Sequence, residues 1–233
     1  MERLDKVLAA TGQWSRKQAK ELIKAGRVKV AGAAPRGPED KVAPGTSVTV
    51  DGRPIVTEKY LYLMLHKPAG VVSSTQDPRD RTVLDLLPRD LRGRDLFPVG
   101  RLDKDTEGLL LLTNDGPLAH ELLAPGRHVE KVYYAQVDGE LTEEDRAAFA
   151  GGLTLGDGTG CRPAGLEILP PADRCLVTIQ EGKYHQVRRM LASRGKPVRY
   201  LKRLSMGPLS LDPALPAGAW RPLSLEERAN LGR

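Results

Sequence analysis

Aromatic side chains are scarce: Phe, Trp and Tyr together make up 4% of the 233 residues. A sheet that reads single-stranded RNA by stacking successive bases needs several exposed rings, so that mode of recognition is not expected. Cysteine is nearly absent as well. Cys161 and Cys175 have no CxxC spacing, so the sequence offers neither a disulfide framework nor a zinc site, and both are read as ordinary thiols. No run of 18 apolar residues occurs, which excludes a membrane-spanning helix. The opening residues Met1-Glu2-Arg3-Leu4-Asp5 lack the apolar core of a signal peptide, and a cytoplasmic protein is the expectation. A glycine-rich phosphate loop is missing too, which argues against nucleotide-dependent chemistry.

What is present is positive charge, unevenly spread. The formal net charge is +6. Residues 1–59 hold 12 Lys and Arg against 7 Asp and Glu, whereas the other 174 residues hold 24 against 23. The first quarter of the chain therefore carries most of the excess. A compact basic module fits a polyanionic partner, nucleic acid above all, although charge alone serves solubility equally well.

That quarter has its own periodicity. Leu4, Val7 and Leu8 recur at helical spacing, and Gly12 follows. Ser15 and Gln18 fit a capping box that opens a second helix. Ala19, Leu22 and Ile23 face inward there, Lys17, Lys20 and Lys24 share a different face, and Gly26 stops it. Residues 27–30 and 47–50 alternate as strands, with a Gly-, Ala- and Pro-rich loop at 31–46 and a polar linker at 52–59. From residue 60 onward, strand and helix signals mix without regular βαβ alternation. Strands are expected at 60–65, 109–113, 132–138 and 175–180, and helices at 117–124, 142–149 and 185–194. The expected class is α+β: a small αα-hairpin-plus-β unit over residues 1–55, then a larger, mainly antiparallel sheet domain over residues 60–233.

The densest chemistry lies at residues 101–116. Arg101, Asp103, Lys104, Asp105 and Glu107 crowd against Leu109, Leu110, Leu111 and Leu112, a buried strand closed by the turn pair Asp115-Gly116. A knot of carboxylates at the mouth of a buried strand suits an active site better than a core. Asp103, flanked by Arg101 and Lys104, is the candidate nucleophile; a surface loop of mixed charge has the same pattern. The Asp103/Asp105 pair could also hold Mg²⁺.

Four segments together narrow these alternatives. Gly100-Arg101-Leu102-Asp103, continuing through Asp105-Thr106-Glu107-Gly108 to Asn114-Asp115-Gly116, resembles the central motif of the ribosomal-type RNA pseudouridine synthases. His66-Lys67-Pro68-x-Gly70 resembles their first motif, Lys131-Val132-Tyr133 the tyrosine-bearing one, and Glu181 through Leu191 the third. The order Arg-Leu-Asp-Lys-Val-Leu, Ser-Arg-Lys-Gln-Ala, Gly-Arg-Val-Lys-Val within residues 3–30 resembles the S4 RNA-binding module. The resemblance covers nearly the whole chain. It implies isomerisation of a uridine by detaching uracil from ribose C1′ and rejoining it through C5, with no cofactor and no metal.

It also implies roles. Asp103 is the catalytic residue, acting at C6 of the base or at C1′. Arg188 pairs with Asp103, and Tyr133 stacks on the uracil, with adjacent Tyr134 pointing to the opposite face of its strand. Arg101 fills the gap left by an extruded base or grips a phosphate. His66 and Lys67 are candidates for substrate contact; Lys17, Lys20 and Lys24 would meet phosphates. Lys183, Arg188, Arg189, Arg194, Lys196, Arg199, Lys202 and Arg203 form a run with no acidic residue and are read as an RNA track that includes the substrate contacts Lys183 and Arg189. The stretch Leu65 to Pro78, with Tyr184-His185-Gln186-Val187, is more similar to the branch acting on 16S rRNA than to the 23S branch. The expected partner is thus 16S rRNA or a small-subunit assembly intermediate, and the expected state is a monomer. The rival readings are a non-catalytic S4-type assembly protein and a Mg²⁺-dependent enzyme.

Overall fold

The computed structural model describes residues 1–233 except Val56, Lys59, Gly232 and Arg233. Two short helices, α1 (Leu4–Ala9) and α2 (Arg16–Lys24), open the chain after a two-residue strand, β1 (Glu2–Arg3). The Ser15–Gln18 capping box is complete: Ser15 Oγ accepts from the Gln18 amide, and Gln18 Oε1 accepts from the Ser15 amide. Leu4, Leu8, Ala19, Leu22 and Ile23 bury against Val28, Val48 and Val50. The hairpin strands are β2 (Val28–Val30) and β4 (Val48–Val50), paired antiparallel.

Two segments expected as irregular hold strands. Within the 31–46 loop, β3 (Lys41–Val42) pairs with β1. Within the 52–59 linker, β5 (Arg53–Ile55) adds a third strand to the hairpin through a turn at Asp51-Gly52, both at positive φ. β3 has only two residues, and β5 carries Pro54, a residue that argues against a strand in sequence. Val56 and Lys59 of that linker lie outside the described residues.

The second unit is one mixed sheet of nine strands. Its main path runs β10 (Gly165–Leu169), β11 (Arg174–Ile179), β9 (Lys131–Val137), β12 (Val198–Met206), β8 (Glu107–Thr113), β6 (Tyr62–Lys67) and β14 (Trp220–Pro222); β13 (Leu209–Ser210) and β7 (Phe97–Pro98) join at the sides. Every pairing is antiparallel except β12 with β8, as the α+β reading required. The helices are α3 (Arg89–Arg92), α4 (Gly116–Leu123), α5 (Glu143–Gly151), α6 (Gln186–Ser193) and α7 (Leu225–Leu231).

The leucine run is central. Leu110 and Leu112 pack into one core cluster with Tyr133, Ala135, Val187 and Leu201. Leu109 and Leu111 pack into another with Met64, Leu122 and Met206. A strand covered on both faces has no polar side to show, which is why its sequence does not alternate. Asp115 does not make a turn after it. Its carboxylate accepts from the Leu118 amide and N-caps α4, with Pro117 in the first turn.

Candidate active site

Asp103 lies in the irregular segment between β7 and β8, and that segment is pinned from below. Leu102 is buried, and its amide and carbonyl are both held by the Ser73 hydroxyl, at 3.0 and 2.9 Å. On the other side, Lys67 is fully buried at the end of β6. Its Nζ donates to the carbonyls of Pro68, Lys104 and Thr106 at 3.0, 3.2 and 2.8 Å. The Gly70 amide takes the Lys104 carbonyl as well, at 2.8 Å. Asp103 is thereby fixed between two anchored residues, with its carboxylate free to face a cavity.

Lys67 is therefore a clamp on the segment that carries Asp103 and not a substrate contact. Burial pushes its pKa down from the ordinary 10.5 to about 8, against the opposing pull of Asp105, Asp103 and Glu107. The folded-state value lies below the unfolded one, so the unfolded chain binds more protons between pH 8 and 10.5. The stability that Lys67 contributes accordingly rises with pH across that window. Lys67→Met should lower stability by about 2 kcal/mol near neutral pH by orphaning buried carbonyls. The gap to wild type should widen between about pH 7 and about pH 10. Denaturant midpoints of both proteins at the two pH values check this; a gap that stays constant would contradict the buried charged amine.

His66 is likewise structural. It is buried on β6, its Nδ1 sits 2.7 Å from the Leu215 carbonyl, and it does not line the cavity. Alternation along β6 places neighbouring side chains on opposite faces, and the loop after β13 covers the face that His66 takes.

The cavity beside Asp103 has a volume of about 980 Å³. Asp103, Arg101, Tyr133, Lys183 and His185 all line it. Tyr133 and Tyr134 point to opposite faces as expected: Tyr133 is buried at the cavity, whereas Tyr134 packs edge-on against Tyr200, with ring centroids 6.1 Å apart. Arg101 is exposed and makes no ion pair or hydrogen bond among the described residues, so it is free to move.

The expected partner of Asp103 is corrected. Arg188 Nη2 lies 3.0 Å from Asp105 Oδ2 and 3.5 Å from Thr106 Oγ1, and Nη1 donates to the Val198 carbonyl at 3.4 Å. Asp103 instead has His185, whose Nε2 is 3.4 Å from Oδ1. The cause is the start of α6. His185 adopts a left-handed backbone conformation (φ 47°, ψ 35°) that turns its ring toward the cavity, one turn ahead of Arg188. That ring stacks on Tyr184, with centroids 3.9 Å apart and planes 16° apart, and Tyr184 is otherwise 75% exposed. In sequence, packing is favoured over RNA contact for His185, and nothing marks its stacking with Tyr184. The turn conformation that brings it to Asp103 has no sequence signal, since it requires neither glycine nor asparagine here.

The basic run is corrected as well. Acidic residues fold onto it, all but Glu181 from distant parts of the sequence. Lys183 pairs with Glu181, Arg189 with Asp157, Arg194 with Asp145, and Arg199 with Asp138 and Asp173. Arg203 is buried. The run is single-signed in sequence and not in space; Lys196 and Lys202 alone in it lack a side-chain hydrogen bond or ion pair among the described residues. In the first unit, Lys17, Lys20 and Lys24 are all exposed on α2, opposite its buried face, with Lys20 4.0 Å from Asp5. Glu107 accepts from the Tyr200 hydroxyl at 2.8 Å. Cys161 and Cys175 are both buried free thiols.

Asp103 held between anchored neighbours beside a cavity that Tyr133 lines, on a mixed sheet that follows a small basic unit, suits an RNA-modifying enzyme, and comparison with known proteins gives the class. Residues 61–193 match the family of RNA pseudouridylate synthases, and residues 2–48 match the S4 domain. The chain is 47% identical to an uncharacterized RNA pseudouridine synthase of Bacillus subtilis, over 97% of this chain and 96% of that one. It is 44% identical to the ribosomal small subunit pseudouridine synthase A of Pseudomonas aeruginosa, over 97% of this chain and 98% of that one. A crystal structure of a pseudouridylate synthase superposes with a TM-score of 0.70 at 36% identity, covering 99% of this chain and all of that one. The chain belongs to the RNA pseudouridylate synthase family, with an N-terminal S4 domain. No helix among the described residues is long and apolar enough to cross a membrane.

Proposed function

We propose that this chain converts one uridine of 16S ribosomal RNA to pseudouridine, with Asp103 as the nucleophile. The observation that carries the reading is Asp103, whose neighbours Leu102 and Lys104 are held by Ser73 and Lys67, at a cavity that Tyr133 lines. A base extruded from folded RNA enters the cavity and lies against the Tyr133 ring. Arg101, free of protein partners, occupies the vacated stack or holds a phosphate. Lys183 and Arg189 line or flank the rim, and Arg188 stiffens the catalytic segment through Asp105 and Thr106. The reaction is redox-neutral and isomeric, so the mechanism calls for no cofactor. The ribosomal target is supported by the name of the Pseudomonas relative and by the segments Leu65 to Pro78 and Tyr184 to Val187. The units 1–55 and 60–233 act as RNA grip and catalyst, in a monomeric cytoplasmic enzyme.

Pseudouridine mapping tests it. Ribosomal RNA lacking the modification is incubated with the protein and no added cofactor, both as naked RNA and as a partly assembled small-subunit particle. One new pseudouridine in 16S rRNA is the expected result. A new site in 23S rRNA moves the enzyme to the other branch; none in either substrate overturns the reading. The S4 contribution is separable. Replacing Lys17, Lys20 and Lys24 by glutamine should flatten the dependence of log affinity on log salt by about 2 to 3, as three phosphate contacts would require. An unchanged slope in filter-binding titrations would place the RNA grip elsewhere.

A further inference from the structure

Among the cavity-lining residues is a charge that the roles above do not use. Arg203 on β12 is 2% exposed, and no carboxylate lies within 4 Å of it among the described residues. Its Nε donates to the Leu109 carbonyl at 2.8 Å, and its Nη2 has no protein partner. Its Cα is directly opposite that of Tyr133 across the β9–β12 pair, and side chains so opposed share one face of the sheet. Lys131, two residues from Tyr133 on that same face, also lines the cavity. Its Nζ donates to the Val129 carbonyl at 2.7 Å. Its pKa is lowered by burial and then by the charge of Arg203.

A buried guanidinium with no counter-charge is costly, and a second cation beside it adds to that cost. Such a pair is explained by a ligand that brings negative charge to the cavity floor. The ribose–phosphate backbone of an extruded nucleotide stays at the mouth, so what reaches the floor is the base.

We propose that Arg203, assisted by Lys131, is a further catalytic residue of the isomerisation, donating to a carbonyl oxygen of the uracil and stabilising the negative charge that develops there. This rests on the pseudouridine synthase reading. Both routes open to Asp103 generate that charge. Addition of the carboxylate at C6 drives an electron pair through C5 onto O4. Cleavage of the C1′–N1 bond leaves its pair on N1, shared with O2 and O4, while C1′ passes to the carboxylate. Formation of the C5–C1′ bond withdraws the charge again, the carboxylate is released, and the proton lost from C5 is balanced by one gained at N1. A fixed donor aimed at charge that appears only during reaction accelerates the step without tightening RNA binding.

Single-turnover pseudouridine formation and RNA affinity are measured for wild type, Arg203→Lys, Arg203→Met and Lys131→Met on the RNA mapped above. The expected result is a rate loss of about 100-fold or more for Arg203→Met, a smaller loss for Lys131→Met, and RNA affinity unchanged within about twofold. Inhibition by free 5-nitrouracil, an anion at neutral pH, is compared with inhibition by uracil. Wild type should prefer the anion at least about tenfold, and Arg203→Lys, which keeps the charge on a shorter donor, should lose most of that preference. Should Arg203→Met fail to fold, Arg203→Lys and Lys131→Met carry the comparison. Variants with wild-type rates, losses matched by equal losses of RNA affinity, or a wild type indifferent to the anion would each overturn the proposal. Absence of pseudouridine with wild type would instead overturn the function on which it rests.

Discussion

Asp103→Asn should abolish pseudouridine formation, by about 10⁴-fold or more, while RNA affinity stays within about threefold of wild type. Asparagine is nearly isosteric with aspartate, and the residues that anchor the segment hold the backbone of its neighbours: Ser73 binds Leu102, and Lys67 binds Lys104 and Thr106. The loop should therefore keep its shape. An amide oxygen can still approach His185, but an amide cannot supply the anionic oxygen that attacks C6 or C1′. Binding draws on phosphate contacts, which this substitution leaves in place and, by removing a negative charge, slightly favours. Mapping by reverse transcription gives the first quantity and filter binding the second. Appreciable residual turnover would remove Asp103 from the nucleophile's role; loss of binding in proportion to turnover would show that it holds RNA.

Gly108→Ala should be the most disruptive single-methyl change at the site. Gly108 has φ of +108°, outside the left-handed region that other residues tolerate, and it sits where β8 meets β12 in parallel register with Arg203. A Cβ there would lie 2.2 Å from the Arg203 carbonyl oxygen and 2.6 Å from its amide nitrogen. Both obstacles are backbone, so no side chain can swing aside. Strain at such a φ costs about 1–3 kcal/mol, and the forced separation of two central strands adds a similar amount. The expected loss is about 3 kcal/mol or more, a fall in melting temperature of about 6–12 °C for a chain of this length. Activity should fall further than stability, because β12 carries Arg203 and β8 leads directly out of the segment holding Asp103. A variant that melts within about 2 °C of wild type would show that the strands can part freely. Ser73→Ala, by contrast, removes a paired hydroxyl that holds both polar groups of Leu102, and should cost about 1–3 kcal/mol with a matching loss of rate.

The elements legible in sequence are those whose signal is local. The capping box of Ser15 and Gln18 is a contact between residues three apart, and it is present as read. The four leucines announce a strand buried on both faces, and their neighbours in space, Met64 and Leu201, change nothing about that reading. The opposite orientation of Tyr133 and Tyr134 follows from the two-residue period of any strand. The small strands β3 and β5 were not legible, because β3 has only two residues and Pro54 in β5 hides its strand signal.

At the site, residue type was legible and pairing was not. Asp103, Tyr133 and Arg101, named by the motif resemblance, line one cavity. Lys67 and His66, read as substrate contacts, turn inward, since a motif does not reveal which way a strand faces. The acid-free run from Lys183 to Arg203 suggested an RNA surface, yet Asp105, Asp138, Asp145, Asp157 and Asp173 return to it from elsewhere in the chain. Arg203, counted in that run as a surface charge, is the most deeply buried of its members.

By itself the sequence determined the class of fold, the two-part organisation, the candidate nucleophile and the opposite orientation of Tyr133 and Tyr134. Each of these depends on propensity, periodicity or a motif within a few residues. Only the tertiary structure decided that Lys67 clamps the catalytic segment, that His185 rather than Arg188 adjoins Asp103, and that Arg203 reaches the cavity with its charge uncompensated. Those outcomes depend on which strands meet and which side chains share a volume, and electrostatic pairing acts across space without regard to separation along the chain.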